Sequence, residues 1–157
     1  MTSPTLTPTP TPSTPTTPTL DLSFSRDPAS TPHHLTPADA AWPRRLRRIV
    51  RASLTRHHYP HLIDPAEVLT TELITNALRH GTGPEIRFRM RVRDDRLVIA
   101  VRDGSPTAPT LRHASPDDEH GRGLFLVAAL ADDWGVSPDS TTTWCVLALH
   151  PAPTQAP

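Results

Sequence analysis

A carboxylate and a carboxamide lie four residues apart near the middle of the chain, at Glu72 and Asn76. On a helix this spacing turns the side chains by only about 40°, so the two share one face. A carboxamide oxygen is a suitable ligand for Mg²⁺. A carboxylate can orient or deprotonate an attacking hydroxyl or water. The pair therefore indicates phosphoryl chemistry, and an ordinary solvated helix face is the alternative interpretation.

Two further motifs follow along the chain. Asp103-Gly104 stands at the end of a hydrophobic run, where a buried carboxylate could accept a hydrogen bond from an exocyclic amine. The same dipeptide also forms ordinary turns readily. Gly121-Arg122-Gly123 opens an apolar segment, and glycine amides at a helix N-terminus bind phosphate. The intervening loop, 104–120, has the composition of a lid that folds over a bound nucleotide.

Helical periodicity and capping residues predict three helices that would position these motifs. The first lies within 36–57, where Pro43 either starts or kinks it. The second begins after an N-cap at Asp64, has Pro65 at its first position, and ends at Gly81. It therefore carries the carboxylate and the carboxamide. The third covers 124–130, directly after the glycine motif.

Alternating patterns predict the strands. Segment 85–93 alternates apolar residues with arginines, and a turn at 94–95 leads into 97–102, which predicts an antiparallel hairpin. Segments 20–26, 134–136 and 142–149 are the other predicted strands, the first of them at a sheet edge. We expect Trp134 and Trp144 to lie in the core. Together these elements predict an α+β fold, a two-layer α/β sandwich with helices on one face of a mostly antiparallel sheet.

Composition limits the function classes. The chain has 157 residues, with 16 basic and 16 acidic side chains, so no overall field attracts nucleic acid or membrane. The single cysteine excludes an internal disulfide. Segment 1–19 is rich in Thr and Pro and is predicted to be a disordered tail, followed by one domain over 20–150 and a frayed C-terminus at 151–157. No secretory signal or membrane span is recognisable, so we expect a cytoplasmic protein.

The order and spacing of the three motifs resemble the N-box, G1 and G2 boxes of Bergerat-type ATPases, the GHKL or histidine-kinase-like ATPase superfamily. Within it, residues 72–81 and 121–124 look like those of the small anti-sigma-factor serine kinases of actinobacterial type. The resemblance covers about residues 22–149, nearly the whole predicted domain. The chain has no Walker A sequence, which excludes the P-loop route to ATP.

The resemblance implies a role for each motif residue. Glu72 is similar to the general base that activates a serine on a partner protein, and Asn76 to the Mg²⁺ ligand. Asp103 resembles the carboxylate that reads adenine. The rest of the implied ATP site comprises Gly104, Gly121, Arg122, Gly123 and Leu124. The protein that the resemblance implies is a homodimeric, ATP-binding serine/threonine kinase. It sequesters a sigma factor, phosphorylates an anti-sigma-factor antagonist, and contacts neither nucleic acid nor membrane directly.

Two departures from the family pattern motivate an alternative. Residues 103–105 read Asp-Gly-Ser where the G1 box usually reads Asp-x-Gly. Residues 118–120 read Asp-Glu-His where better-known kinases carry an arginine suited to the γ-phosphate, and Arg122 is a candidate replacement. The alternative is a non-catalytic ATP-binding, or purely protein-binding, regulator with the same fold. Direct nucleic-acid binding through the Arg-rich helix is disfavoured by the neutral charge and the lack of an aromatic platform.

Overall fold

The computed structural model of the protein describes residues 17–105 and 122–150. In chain order the elements are β1 (Thr19–Ser25), α1 (Pro37–Ala40), α2 (Trp42–Arg56), a 3-10 turn (Pro60–Leu62), α3 (Ile63–His80), β2 (Glu85–Arg93), β3 (Arg96–Arg102), α4 (Arg122–Leu130), β4 (Asp133–Val136) and β5 (Thr142–Ala148). This order agrees with the predicted one, except that α1 and the 3-10 turn were not predicted.

The five strands form one antiparallel sheet in the order β1-β2-β3-β5-β4. The predicted hairpin of β2 and β3 is confirmed, and β1 is an edge strand as predicted. Asp94 and Asp95 have φ angles of 50° and 57°. Two consecutive positive φ angles give the turn a twist that matches that of the flanking strands, which explains the tight connection.

The helices cover one face of the sheet. Alternation along β2 directs Ile86, Phe88 and Met90 into the core and leaves the arginines between them exposed on the opposite face. Helices α2 and α3 contribute buried leucines and other apolar residues to the same core, among them Leu46, Val50, Leu54, Leu69, Leu73, Ile74 and Leu78. The predicted two-layer α+β sandwich is therefore confirmed.

The start of α3 differs from the prediction. Asp64 is not the N-cap: the helix begins at Ile63, directly after the 3-10 turn, and Leu62 occupies the cap position without a side-chain hydrogen bond. Leu62 and Ile63 are buried, with 4% and 8% of their surface exposed. Their burial stabilises this earlier start, which outweighs the local capping preference of Asp64.

One of the two tryptophan predictions is wrong. Trp134 packs against the core, but Trp144 lies on the open face of the sheet, where it is paired with Gly135 in the neighbouring strand. A Cβ atom at Gly135 would lie 2.6 Å from the Trp144 ring, so the indole lies over the glycine. The inward residues of β5 are Thr143, Cys145 and Leu147.

The remaining boundaries refine the predictions. Pro43 lies in the first turn of α2 and starts that helix rather than kinking it. Helix α4 begins at Arg122, so Gly123 lies inside its first turn rather than before it. The predicted tail and frayed terminus lie almost entirely outside the described residues, and so do Gly121 and most of the predicted lid.

Candidate functional site

Helix α3 places Glu72 and Asn76 as the sequence predicts. Leu73, Ile74 and Ala77 are buried against the sheet, whereas Glu72 and Asn76 are half-buried on a neighbouring sector of the helix. Helical geometry requires this division, because residues four apart stay on one face. The carboxylate and the carboxamide are therefore presented side by side at the border of the core.

The Glu72 carboxylate packs against the first turn of α4. A Cβ atom at Gly123 would lie 2.5 Å from Glu72 Oε2, so only glycine allows the helix to approach the carboxylate this closely. Burial raises the pKa of Glu72, and the positive charge of Arg79 opposes that rise. A carboxyl with a raised pKa beside a helix N-terminus has the properties of a proton acceptor at a phosphate site.

Glu72 also borders an open groove on the outer side of α2 and α3. The groove has a volume of about 450 Å³ and is lined by Arg47, Asp64, Glu67, Val68, Thr71 and Glu72. Arg47 Nη1 donates to Thr71 Oγ1 at 3.0 Å, which fixes one wall. The Glu72 carboxylate can therefore be reached from solvent on one side while it contacts α4 on the other.

Asp103 directly follows the central strand β3 and is 9% exposed. Its Oδ1 accepts a hydrogen bond from the Ser105 backbone N–H at 2.8 Å. Burial raises the pKa of Asp103, while the Ser105 N–H and the charges of Arg26 and His80 oppose the rise. A buried carboxylate with this exposure can receive an amine donor, as adenine recognition requires.

Gly104 has a φ of 69°, in the left-handed region that favours glycine. A Cβ atom there would lie 3.2 Å from the Cα of Gly83. Gly83 N in turn donates to the Asp103 carbonyl oxygen at 3.0 Å. The glycine that directly follows Asp103 is thus required by its own backbone, which gives a physical reason for the shift from the usual Asp-x-Gly pattern.

Two residues of this region carry no signal in the sequence, and a third carries only a weak one. Arg26 donates from Nη1 to the Gly81 carbonyl oxygen and from Nη2 to the Ala77 carbonyl oxygen, at the end of α3. Gly83 touches the Asp103 turn. Thr143 is a buried polar residue on the inner face of β5, opposite Val101. A threonine among inward apolar residues is the one available hint.

The remaining predicted residues are placed only in part. Leu124 is half-buried in α4, and Arg122 is the first residue of that helix. Gly121 lies outside the described residues. The structure thus brings Glu72 together with Gly123, and Asp103 together with the glycines after α3.

The side chains present fit a nucleotide with Mg²⁺. Among the described residues, the half-buried Asn76 carboxamide forms no hydrogen bond, so its oxygen is available as a metal ligand. The missing side chain at Gly123 gives the Glu72 carboxylate room beside the first turn of α4. The backbone N–H groups of a helix's first turn lack partners within the helix and favour phosphate. We therefore take this arrangement as a candidate ATP site.

Comparison with known proteins agrees with the fold. A family model of the histidine kinase-like ATPase domain matches residues 36–147, which include α2, α3, the hairpin and most of β5. The chain belongs to this family, and membership implies ATP binding. A search of curated proteins found no significant match. None of the helices in residues 17–105 and 122–150 combines the length and apolar character needed to cross a bilayer.

Proposed function

We propose that the protein is an ATP-dependent serine/threonine protein kinase that acts as an anti-sigma factor and phosphorylates an anti-sigma-factor antagonist. One observation carries the proposal: the half-buried Glu72 carboxylate contacts Gly123 at the start of α4. On α3, Glu72 lies one helical turn before Asn76. This arrangement supports a proton acceptor, a metal ligand and a helix N-terminus in one region. The order of these groups along the chain resembles that of the serine kinases described above.

In the proposed reaction each residue has one task. Asn76 would hold Mg²⁺ through its carboxamide oxygen, and the bound ion would neutralise charge on the phosphates. The backbone at Gly123 would bind phosphate, and Asp103 would accept a hydrogen bond from the amine of adenine. Glu72 takes the proton from the acceptor hydroxyl while the hydroxyl oxygen bonds to the γ-phosphorus and the bond to ADP breaks. The open groove beside Glu72 leaves room for the acceptor segment to approach.

The test is transfer of labelled γ-phosphate from ATP to a candidate antagonist from the same genome. We expect Mg²⁺-dependent transfer by the wild type and a loss of at least about 100-fold in Glu72→Gln. Glu85→Gln is the matched control, because it makes the same change at an exposed position at the start of β2. Equal transfer by the wild type and Glu72→Gln would contradict the proposed role of this carboxylate.

The second candidate is a non-catalytic regulator that binds ATP, or only proteins, through the same fold. Two features favour it: Asp-Glu-His at 118–120 in place of an arginine, and the altered turn after Asp103. Without a cation at the γ-phosphate, phosphoryl transfer slows greatly. Stable ATP occupancy without turnover, measured together with both the sigma factor and the antagonist, would favour this candidate.

The proposed partners are a sigma factor and the antagonist protein, and the proposed assembly is a homodimer in the cytoplasm. The resemblance to the small serine kinases supports these assignments. Light scattering of the purified full chain, alone and with a candidate sigma factor, tests them by the mass of each species. A monomer that binds no sigma factor would contradict this part of the proposal.

A further inference from the structure

Arg26 connects the end of β1 to a segment that begins 51 positions further along the chain, at the end of α3. It directly follows β1, and its backbone N–H donates to the Pro84 carbonyl oxygen at 2.8 Å. Its guanidinium donates to the carbonyl oxygens of Ala77 and Gly81 at the end of α3. The C-terminal end of a helix carries partial negative charge, which favours a cation there. The Ala77 carbonyl oxygen also accepts from the Gly81 N–H at 2.9 Å. Arg26 therefore caps the helix that bears Glu72 and Asn76.

The same guanidinium lies beside Asp103. A Cβ atom at Gly81 would lie 2.5 Å from Arg26 Nη2 and 2.7 Å from Asp103 Cβ. Gly81 is buried, so the arginine and the aspartate pack against the same glycine with no side chain between them. The positive charge of the arginine is thus close to a carboxyl group that is itself mostly buried.

Helix capping alone does not explain this arginine. Its Nε is buried and has no hydrogen-bond partner among the described residues. An unpaired buried donor is unfavourable, and a shorter side chain could leave the carbonyls to water. What capping does not require is the positive charge that this side chain holds next to Asp103. The other groups that face this carboxyl are the Ser105 N–H and His80.

We propose that Arg26 is a positioning residue for purine recognition, which keeps Asp103 ionised and fixed against the end of α3. This inference rests on the proposed nucleotide site. An ionised carboxylate can only accept hydrogen bonds. It pairs with the exocyclic amine of adenine and repels the exocyclic carbonyl oxygen of guanine. A protonated carboxyl can donate to that oxygen, so loss of the ionised form weakens the discrimination between the two bases.

The experiment measures ATP and GTP dissociation constants by calorimetry for the wild type, Arg26→Gln and Arg26→Lys. The ratio of the two constants removes effects common to both nucleotides, such as phosphate titration. We expect the selectivity for ATP to fall at least about tenfold in Arg26→Gln. Arg26→Lys keeps the charge and should keep most of the selectivity. Arg89→Gln is the control, because Arg89 is exposed on the open face of β2.

The pH dependence separates a charge effect from a purely structural one. Removing the arginine charge raises the pKa of the Asp103 carboxyl, so this carboxyl becomes protonated at a higher pH. As the pH is lowered, Arg26→Gln should therefore lose its selectivity for ATP earlier, at a higher pH, than the wild type. All measurements are made below the melting temperature of each nucleotide-free variant, which controls for loss of the helix cap. If the Arg26→Lys protein folds but is as unselective as Arg26→Gln, the inference is overturned.

Two failures remain distinguishable. A wild type that binds neither nucleotide would contradict the proposed nucleotide site itself. A selective wild type together with an equally selective Arg26→Gln would overturn only the role of Arg26.

Discussion

At the scale of single residues, Glu72 illustrates how a functional group reduces stability. Its carboxylate is half-buried, and burial raises its pKa in the folded protein. The ionised form is therefore less favourable in the folded chain than in the unfolded chain at neutral pH. We predict that Glu72→Gln, without nucleotide, increases the free energy of unfolding by roughly 0.5 to 1 kcal/mol at neutral pH. Urea denaturation of both proteins measures the difference.

The pH dependence of this difference has a definite sign. Between the unfolded and the folded pKa of Glu72, the folded state binds more protons, so stability falls as pH rises through that interval. The advantage of Glu72→Gln should therefore be largest above the folded pKa and shrink as pH is lowered towards the unfolded value. A difference that stays constant across this range would indicate that the carboxyl is not destabilised by burial.

Gly104 is the residue whose backbone most restricts substitution. Its φ of 69° disfavours a side chain, and so does the distance of 3.2 Å that would separate an added Cβ atom from the Gly83 Cα. We predict that Gly104→Ala lowers the free energy of unfolding by about 1 to 2 kcal/mol and weakens ATP binding, because the Asp103 turn must shift. Urea denaturation and calorimetry check the two effects.

Ser140 allows the opposite substitution to Gly104→Ala, from a side chain to glycine, at another position with a positive φ angle. It has a φ of 61° in the turn before β5. Ser140→Gly should therefore be neutral or stabilising, since glycine adopts this conformation without strain. If Gly104→Ala proved as stable as the wild type, the backbone explanation for the altered motif would be wrong.

At the scale of elements, the β2–β3 hairpin has a suboptimal turn. Asp94 and Asp95 both have positive φ angles, which favour Asn-Gly or Asp-Gly. We predict that Asp95→Gly raises the free energy of unfolding by about 0.5 to 1 kcal/mol through relief of this strain. The midpoint of urea unfolding measures the change. A lowered midpoint would show that the Asp95 side chain contributes more than its backbone strain removes.

Elements are predictable where the local pattern and the packing agree. Strand β2 alternates strictly, and a turn and a second apolar run follow it directly, so the two strands of the hairpin follow from the sequence with nearly correct bounds. The start of α3 does not follow from the sequence in this way, because Asp64 has a strong local preference for the N-cap position. Burial of Leu62 and Ile63 decides that start, and burial depends on the rest of the fold.

Trp144 shows the same limit in a strand. The run 142–149 is apolar or small at almost every position, so alternation does not reveal which face is inward. Pairing with Ala100 on one side and Gly135 on the other places the indole on the open face. The register comes from neighbouring strands and is absent from the segment itself.

At the scale of the whole molecule, the candidate site depends on contacts between distant segments. The motif types and their order can be inferred from the sequence, but their neighbours cannot. Arg26 reaches the Gly81 carbonyl across 55 positions, and the Glu72 carboxylate meets Gly123 at the start of α4. No local pattern marks such a contact, so the place of Arg26 follows only from the assembled fold.

These assembled residues are expected to bind ATP together with Mg²⁺. Calorimetry of ATP binding with and without Mg²⁺ decides this, on the wild type, Asn76→Ala and the exposed control Arg89→Gln. We predict that Mg²⁺ strengthens ATP binding to the wild type and the control. In Asn76→Ala, the factor by which Mg²⁺ increases the ATP affinity should be about tenfold smaller. No ATP binding by the wild type, or an unchanged Mg²⁺ dependence in Asn76→Ala, would contradict the proposed site.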